Sequence, residues 1–134
     1  MNTSERALQW LLRIIGGSSL LAVIAVVMPY TWMNAIHQWL GLGVLPDAPI
    51  VGYLARSTSA FYALLGGLLW VVSFDLRRHR LVLRYLGAAC FLFGAALFAI
   101  DLAEGLPKFW TFWEGPFSAA FGLAVFWLSG RVEQ

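Results

Sequence analysis

Charged residues are scarce in this chain of 134 residues, of which 12% are charged and 60% hydrophobic. A soluble domain averages about 25% charged residues, so the deficit excludes an ordinary soluble globule. No stretch is long and polar enough to form a second domain. The formal net charge of +2 is too small to indicate a nucleic-acid partner. The composition therefore predicts one small membrane domain.

Several chemical motifs are also missing from the sequence. Cys90 is its only cysteine, so the chain has neither an internal disulfide nor the CxxC pair of thiol–disulfide enzymes. It has no glycine-rich phosphate loop and no serine-nucleophile motif. His37 and His79 are predicted to lie on opposite sides of the membrane, where they cannot share a haem or a metal. We expect no catalytic residue, metal site or cofactor, with a membrane enzyme or transporter as the weaker alternative.

Four apolar runs fill most of the chain, at residues 8–28, 50–74, 81–102 and 116–130. Each is long enough, or nearly so, to cross a hydrocarbon layer about 30 Å thick. No small-x-small cleavage site follows the first run, so we interpret it as a retained span rather than a signal peptide. The predicted fold is all-α, with residues 1–134 forming one integral membrane domain, an antiparallel four-helix bundle.

Basic residues separate by side when the four spans alternate direction. Seven of them fall at the ends on the side of the N-terminus and two, Arg56 and Lys108, at the other ends. The seven are Arg6, Arg13, Arg77, Arg78, Arg80, Arg84 and Arg131. This bias predicts a multi-pass membrane protein with both termini in the cytoplasm. The basic turn at residues 75–84 is expected to attract anionic lipid.

The two predicted outer loops are rich in tryptophan. After Pro29, a short amphipathic helix is predicted to lie in the interface between spans 1 and 2, because Trp32, Ile36 and Trp39 recur at helical spacing. Thr31 is the expected N-cap of that helix. The second loop, residues 104–116, carries further tryptophans that form either a plain aromatic belt or a lid over a site.

Small residues mark the expected contacts between spans, since helices in lipid associate through close packing. Gly16 and Gly17 lie in the first span, and Gly66 and Gly67 in the second. In the third and fourth spans the glycines recur one heptad apart, at Gly87 and Gly94 and at Gly115 and Gly122. That spacing favours left-handed antiparallel packing.

Arg56 is the principal candidate for function, because it lies about two turns inside the second span. A charge at that depth is usually paired or faces a polar cavity. Asp101, near the outer end of the third span, is placed to meet it. The pair is either a structural link between helices or part of an outward-facing pocket that binds an amphipathic ligand such as a lipid or quinone. The predicted ligand-binding residues are His37, Tyr53, Arg56, Tyr62, Asp101, Glu104, Trp110 and Trp113.

A second hypothesis makes the protein an accessory subunit or assembly factor of a larger membrane complex. The expected partners are then membrane proteins or further copies of the chain. Membrane lipid is an expected partner under both hypotheses.

Part of the chain resembles a bacterial group of four-span membrane proteins of unknown function, the DoxX-like proteins. The similarity runs from Arg56, through Gly66-Gly67 and the basic turn, to Glu104-Gly105-Leu106-Pro107 and Glu114. It implies the same four-span fold and a place in the bacterial inner membrane, and says little about function. Asp101 stands near a position where the group is expected to have a second basic residue.

Overall fold

The computed structural model describes residues 1–133, which contain helices and no strand. The all-α prediction is therefore confirmed for this part of the chain. Six helices follow one another: α1 (Thr3–Leu20), α2 (Val23–Val27), α3 (Tyr30–Trp39), α4 (Pro49–Val72), α5 (Arg80–Glu104) and α6 (Lys108–Ser129).

Three helical stretches are long and apolar enough to cross a membrane. They are Thr3–Val27, which joins α1 and α2, Pro49–Val72 and Arg80–Glu104. These stretches keep large apolar side chains exposed, among them Phe61, Leu64 and Leu92. Exposure of such side chains is costly in water and favourable in lipid. This exposed apolar surface is compatible with membrane insertion. The fourth predicted crossing, at residues 116–130, is not among these stretches and stays a prediction.

The connection between α5 and α6 is much shorter than the predicted loop. The prediction of a loop at residues 104–116 was wrong, because only residues 105–107 separate the two helices. Gly105 takes the left-handed conformation that ends α5, and the Leu106 N–H donates back to the Asp101 carbonyl oxygen at 3.0 Å. Pro107 then precedes the first turn of α6, where its fixed φ suits a helix start. Pro116 lies inside α6 rather than at its start.

The short helix predicted after Pro29 is present as α3, with a different start, while its interfacial position stays a prediction. It begins at Tyr30, preceded by Pro29 with no side-chain cap, so the expectation that Thr31 caps it was wrong. Proline sets the extended conformation before the helix without needing a hydroxyl cap. The side chains of Trp32 and Trp39 are exposed, as the predicted interfacial position requires.

The chain divides into two compact units. Unit 1 comprises residues 1–12 and 71–133, and unit 2 comprises residues 13–70. Helices α1 and α4 contribute residues to both units.

In unit 1, α5 and α6 pack backbone against backbone. A Cβ added to Gly94 would lie 2.3 Å from the Ala119 nitrogen, and one added to Gly122 would lie 2.3 Å from the Phe91 nitrogen. Gly87 and Gly115 show the same close approach. The predicted glycine contacts are thus confirmed, and van der Waals attraction along this seam holds the hairpin together.

The start of α1 is fixed within unit 1 by a reciprocal capping pair. The Glu5 N–H donates to Asn2 Oδ1 at 2.8 Å, and the Asn2 N–H donates to Glu5 Oε2 at 2.9 Å. Glu5 Oε1 also accepts from Arg77 Nε at 3.2 Å. Leu8 and Leu12, fully buried on the same face of α1, complete this part of the core.

In unit 2, α1 and α4 meet at another pair of glycines. A Cβ on Gly66 would lie 2.6 Å from the Gly16 carbonyl oxygen, and one on Gly16 would lie 2.9 Å from the Gly66 carbonyl oxygen. This contact confirms the prediction that these small residues mark a helix–helix interface.

A bulky residue at Gly94 should separate α5 from α6. The Gly94→Leu side chain would collide with backbone atoms of α6, which cannot move aside like a flexible side chain. We expect a loss of about 1–3 kcal/mol in the free energy of unfolding, measured in mild detergent with increasing denaturing detergent.

Ala95→Leu is the matched control for this substitution. Ala95 is exposed on the same helix, so a larger apolar side chain there should face lipid at little cost. Equal stability of the two variants would contradict the backbone-contact interpretation of Gly94.

Candidate functional site

The predicted site residues belong to different units. His37, Tyr53, Arg56 and Tyr62 lie in unit 2, and Asp101, Glu104, Trp110 and Trp113 lie in unit 1.

Arg56 binds the end of a broken helix in unit 2. Helix α2 stops at Val27, and Met28 is extended before Pro29. The half-buried Arg56 side chain donates from Nε to the Val26 carbonyl oxygen at 3.1 Å and from Nη2 to the Met28 carbonyl oxygen at 3.1 Å. These carbonyls have lost their helical partners, and an arginine supplies both donors and a compensating positive charge. Arg56 thus has a structural role at this break.

Glycine makes room for that guanidinium on α4. A Cβ added to Gly52, one turn before Arg56, would lie 3.2 Å from Arg56 Nη1. The absence of a side chain at this buried position lets Arg56 lie along its own helix.

Polar side chains of α3 organise the segment that follows it. Asn34 Oδ1 accepts from the Leu45 N–H at 2.8 Å, and the Tyr30 hydroxyl donates to the Leu45 carbonyl oxygen. The ring Nδ1 of His37 lies 2.8 Å from the Gly43 carbonyl oxygen. Partial removal from water, together with the charge of Asp47, raises the pKa of Tyr30 above its ordinary value.

The two predicted tyrosines of α4 differ in their surroundings. Tyr53 is largely exposed, and Tyr62 is half-buried. Both lie in unit 2 with Arg56, as expected from their places on the same helix.

Asp101 occupies the glycine seam of unit 1. It lies one heptad after Gly94, and therefore on the face of α5 that packs against α6. Its residue surface is 3% exposed, and its Oδ2 atom has no hydrogen-bond partner among residues 1–133. A buried acceptor left unsatisfied is costly, especially in apolar surroundings. Asp101 is the one buried carboxylate of α5.

Helix α6 brings a second acid near Asp101. Glu114 is half-buried and feels the electrostatic repulsion of the Asp101 carboxylate. Its Oε2 atom accepts a hydrogen bond of 2.6 Å from Trp110 Nε1, one helical turn earlier. The buried Thr111 hydroxyl turns back to the Pro107 carbonyl oxygen at 3.3 Å. We refer to Asp101, Trp110, Thr111 and Glu114 as the carboxylate site.

Sequence reasoning noticed Glu114 but did not assign it to the site. With α6 predicted to begin at Pro116, Glu114 fell in a loop, and its four-residue spacing from Trp110 had no helical meaning. Had the helix start after Pro107 been recognised, that spacing would have placed both side chains on one face.

The remaining predicted residues of unit 1 lie at the surface. Glu104 is exposed at the last position of α5. Trp113 is exposed and stacks on Phe117, with ring centroids 5.3 Å apart. Neither side chain is buried with Asp101. The exposed Trp113 and Phe117 rings therefore lie apart from the polar residues inside the hairpin.

The chemistry open to the carboxylate site is that of a hydrogen-bond acceptor. Trp110 and Thr111 direct their donors to Glu114 and to the backbone, so neither hydrogen bond goes to Asp101. Residues 1–133 contain no group of three or more potential ligands that could hold a metal ion. A donor from a bound molecule would satisfy Asp101 Oδ2.

Removing the donors of Arg56 should loosen the helix break. Arg56→Gln cannot reach both carbonyls, so we expect a loss of about 1–3 kcal/mol in the free energy of unfolding. Faster amide hydrogen exchange is expected at residues 23–33, measured by mass spectrometry.

Thr58→Ala serves as the control, because Thr58 is exposed two residues further along α4. Unchanged exchange in Arg56→Gln would show that Arg56 does not stabilise the break.

Comparisons with protein-family models, with curated proteins and with solved structures found no match to this chain. The similarity to DoxX-like proteins therefore stays a prediction.

Proposed function

We propose that this protein is a multi-pass membrane protein that binds an amphipathic molecule whose polar head donates hydrogen bonds. The carboxylate site holds that head, and the tail lies in the surrounding hydrocarbon. The observation that carries the proposal is Asp101 Oδ2, a buried acceptor without a partner among the described residues. An ionisable residue at membrane depth is by default a candidate functional residue.

The donor chemistry narrows the class of ligand. A carboxylate binds ammonium and hydroxyl groups well, because both donate hydrogen bonds and an ammonium also carries the opposite charge. Primary-amine phospholipids and quinols have such heads. A quinone only accepts hydrogen bonds and therefore suits the Asp101 carboxylate less well. The class of ligand expected from the sequence is thus narrowed to molecules whose polar head donates hydrogen bonds.

The surroundings of the site suit an amphipathic ligand. Ile100 and Leu102 flank Asp101 in sequence and are exposed, as is Phe112 beside Thr111. These side chains offer apolar contact to an acyl or prenyl tail next to the buried carboxylate. A soluble polar metabolite would gain nothing from them.

The proposal includes a fourth crossing by α6. This helix has 22 residues, equivalent to about 33 Å of length at 1.5 Å per residue. It packs against α5 from Gly87 to Gly94 through Phe126, Ala119 and Gly115. A helix held so closely along a membrane-crossing partner is expected to cross with it.

Asp101→Asn should weaken binding of an amine-headed lipid. The change keeps the shape of the side chain but removes its charge and adds a competing donor. We expect wild-type protein to prefer phosphatidylethanolamine to phosphatidylcholine of the same acyl chains, since only the former has N–H donors. The variant should lose about tenfold in affinity for phosphatidylethanolamine, equivalent to about 1.4 kcal/mol, by native mass spectrometry.

Glu104→Gln is the matched control, because it removes an exposed carboxylate one turn away on the same helix. It should bind both lipids as the wild type does. Equal binding of the two lipids by the wild type, or an unchanged preference in Asp101→Asn, would overturn the proposal. Co-migration with other chains after gentle extraction, without lipid preference, would instead favour the accessory-subunit hypothesis.

A further inference from the structure

The opposite end of the α5–α6 hairpin gathers arginines around the last turn of α6. Arg80 donates from Nε to the Ser129 carbonyl oxygen and from Nη2 to the Gly130 carbonyl oxygen, both at 3.2 Å. The Arg84 guanidinium carbon lies 4.6 Å from the centre of the Phe126 ring. We call Arg80, Arg84 and Arg131 the arginine cluster.

Aromatic rings position two members of the cluster. The Arg131 guanidinium carbon lies 3.5 Å from the centre of the Trp127 ring, and Arg84 occupies the Phe126 face. Contact with a ring face orients a guanidinium and leaves its N–H donors free to bind at the edge. Trp127 is exposed, as expected for a residue at the level of lipid headgroups.

The acids at this end of unit 1 do not neutralise the cluster. Glu5 and Glu133 both pair with Arg77, at 3.2 and 3.7 Å. Among residues 1–133, no ion pair joins a carboxylate to Arg80, Arg84 or Arg131. Arg80 donates two hydrogen bonds to the end of α6, whereas the side chains of Arg84 and Arg131 donate none to residues 1–133.

We propose that Arg84 and Arg131, supported by Arg80, bind the phosphate of an anionic phospholipid in the leaflet that faces the predicted cytoplasmic side. A phosphodiester supplies the oxygen acceptors and the negative charge that the cluster lacks, and guanidinium groups match phosphate geometry. The acyl chains then lie beside the exposed apolar surface of α5 and α6, including Leu81 and Leu123. This site is separate from the carboxylate site and does not depend on it.

The test compares two double variants that remove the same charge. Arg84→Gln with Arg131→Gln removes two charges from the cluster. Arg6→Gln with Arg78→Gln removes two exposed charges outside it, on side chains that make no hydrogen bond or ring contact in the described structure. Arg80 is left intact because it holds the end of α6.

Binding of phosphatidylglycerol and phosphatidylcholine with matched acyl chains is measured by native mass spectrometry on the full chain. We expect the cluster variant to lose about tenfold in affinity for phosphatidylglycerol and the control variant to lose less than about twofold. Circular dichroism checks that both variants fold. Arg84→Lys with Arg131→Lys should give an intermediate loss, since lysine keeps the charge but not the planar donor geometry.

Three results would overturn the inference. Equal loss in the two glutamine variants would mean that diffuse attraction, rather than a site, holds the lipid. Equal binding of phosphatidylglycerol and phosphatidylcholine by the wild type would exclude recognition of a net negative headgroup. Displacement of phosphatidylglycerol by inorganic phosphate at equal concentration would identify a site for soluble phosphate instead.

Discussion

Close backbone contact between helices is the interaction on which the rest of this structure depends. Where lipid surrounds the chain, burial of apolar side chains drives little association, so contact must come from dispersion and fit. Glycines at one-heptad spacing let α5 and α6 approach until no Cβ would fit between them. Asp101 lies on the same face of α5 as these glycines and is buried with them. Packing and the candidate chemistry therefore follow from one stripe of residues.

Polar groups at helix ends show how this chain satisfies its backbone away from water. Arg56 serves the carbonyls of Val26 and Met28, and Arg80 serves those of Ser129 and Gly130. Each arginine reaches a helix end that has run out of intrahelical partners. Charge that looks functional in the sequence can thus be used for structure, which is why Arg56 alone does not define a binding site.

The α5–α6 hairpin carries opposite charge at its two ends, because the carboxylate site lies at one end and the arginine cluster at the other. Asp101 and Glu114 lie toward the Gly105 connection, and the arginine cluster lies toward Ser129. A donor-headed ligand and an anionic headgroup are complementary to these two ends. The two sites share no residue.

The sequence by itself determined the all-helical fold, three stretches long and apolar enough to cross a membrane, and the glycine contacts. Each of these follows from the length of an apolar run or from the size of a residue, which are local properties. It also named Asp101 as a candidate ligand-binding residue, which stays a prediction. Only the tertiary structure decided what Arg56 binds, since the carbonyls of the α2 break are distant in sequence. The position of Glu114 likewise depended on where α6 begins. The sequence predicted a start at Pro116, whereas the structure has a turn at residues 105–107 and starts the helix at Lys108. Side-chain partners depend on packing, and no local pattern encodes them.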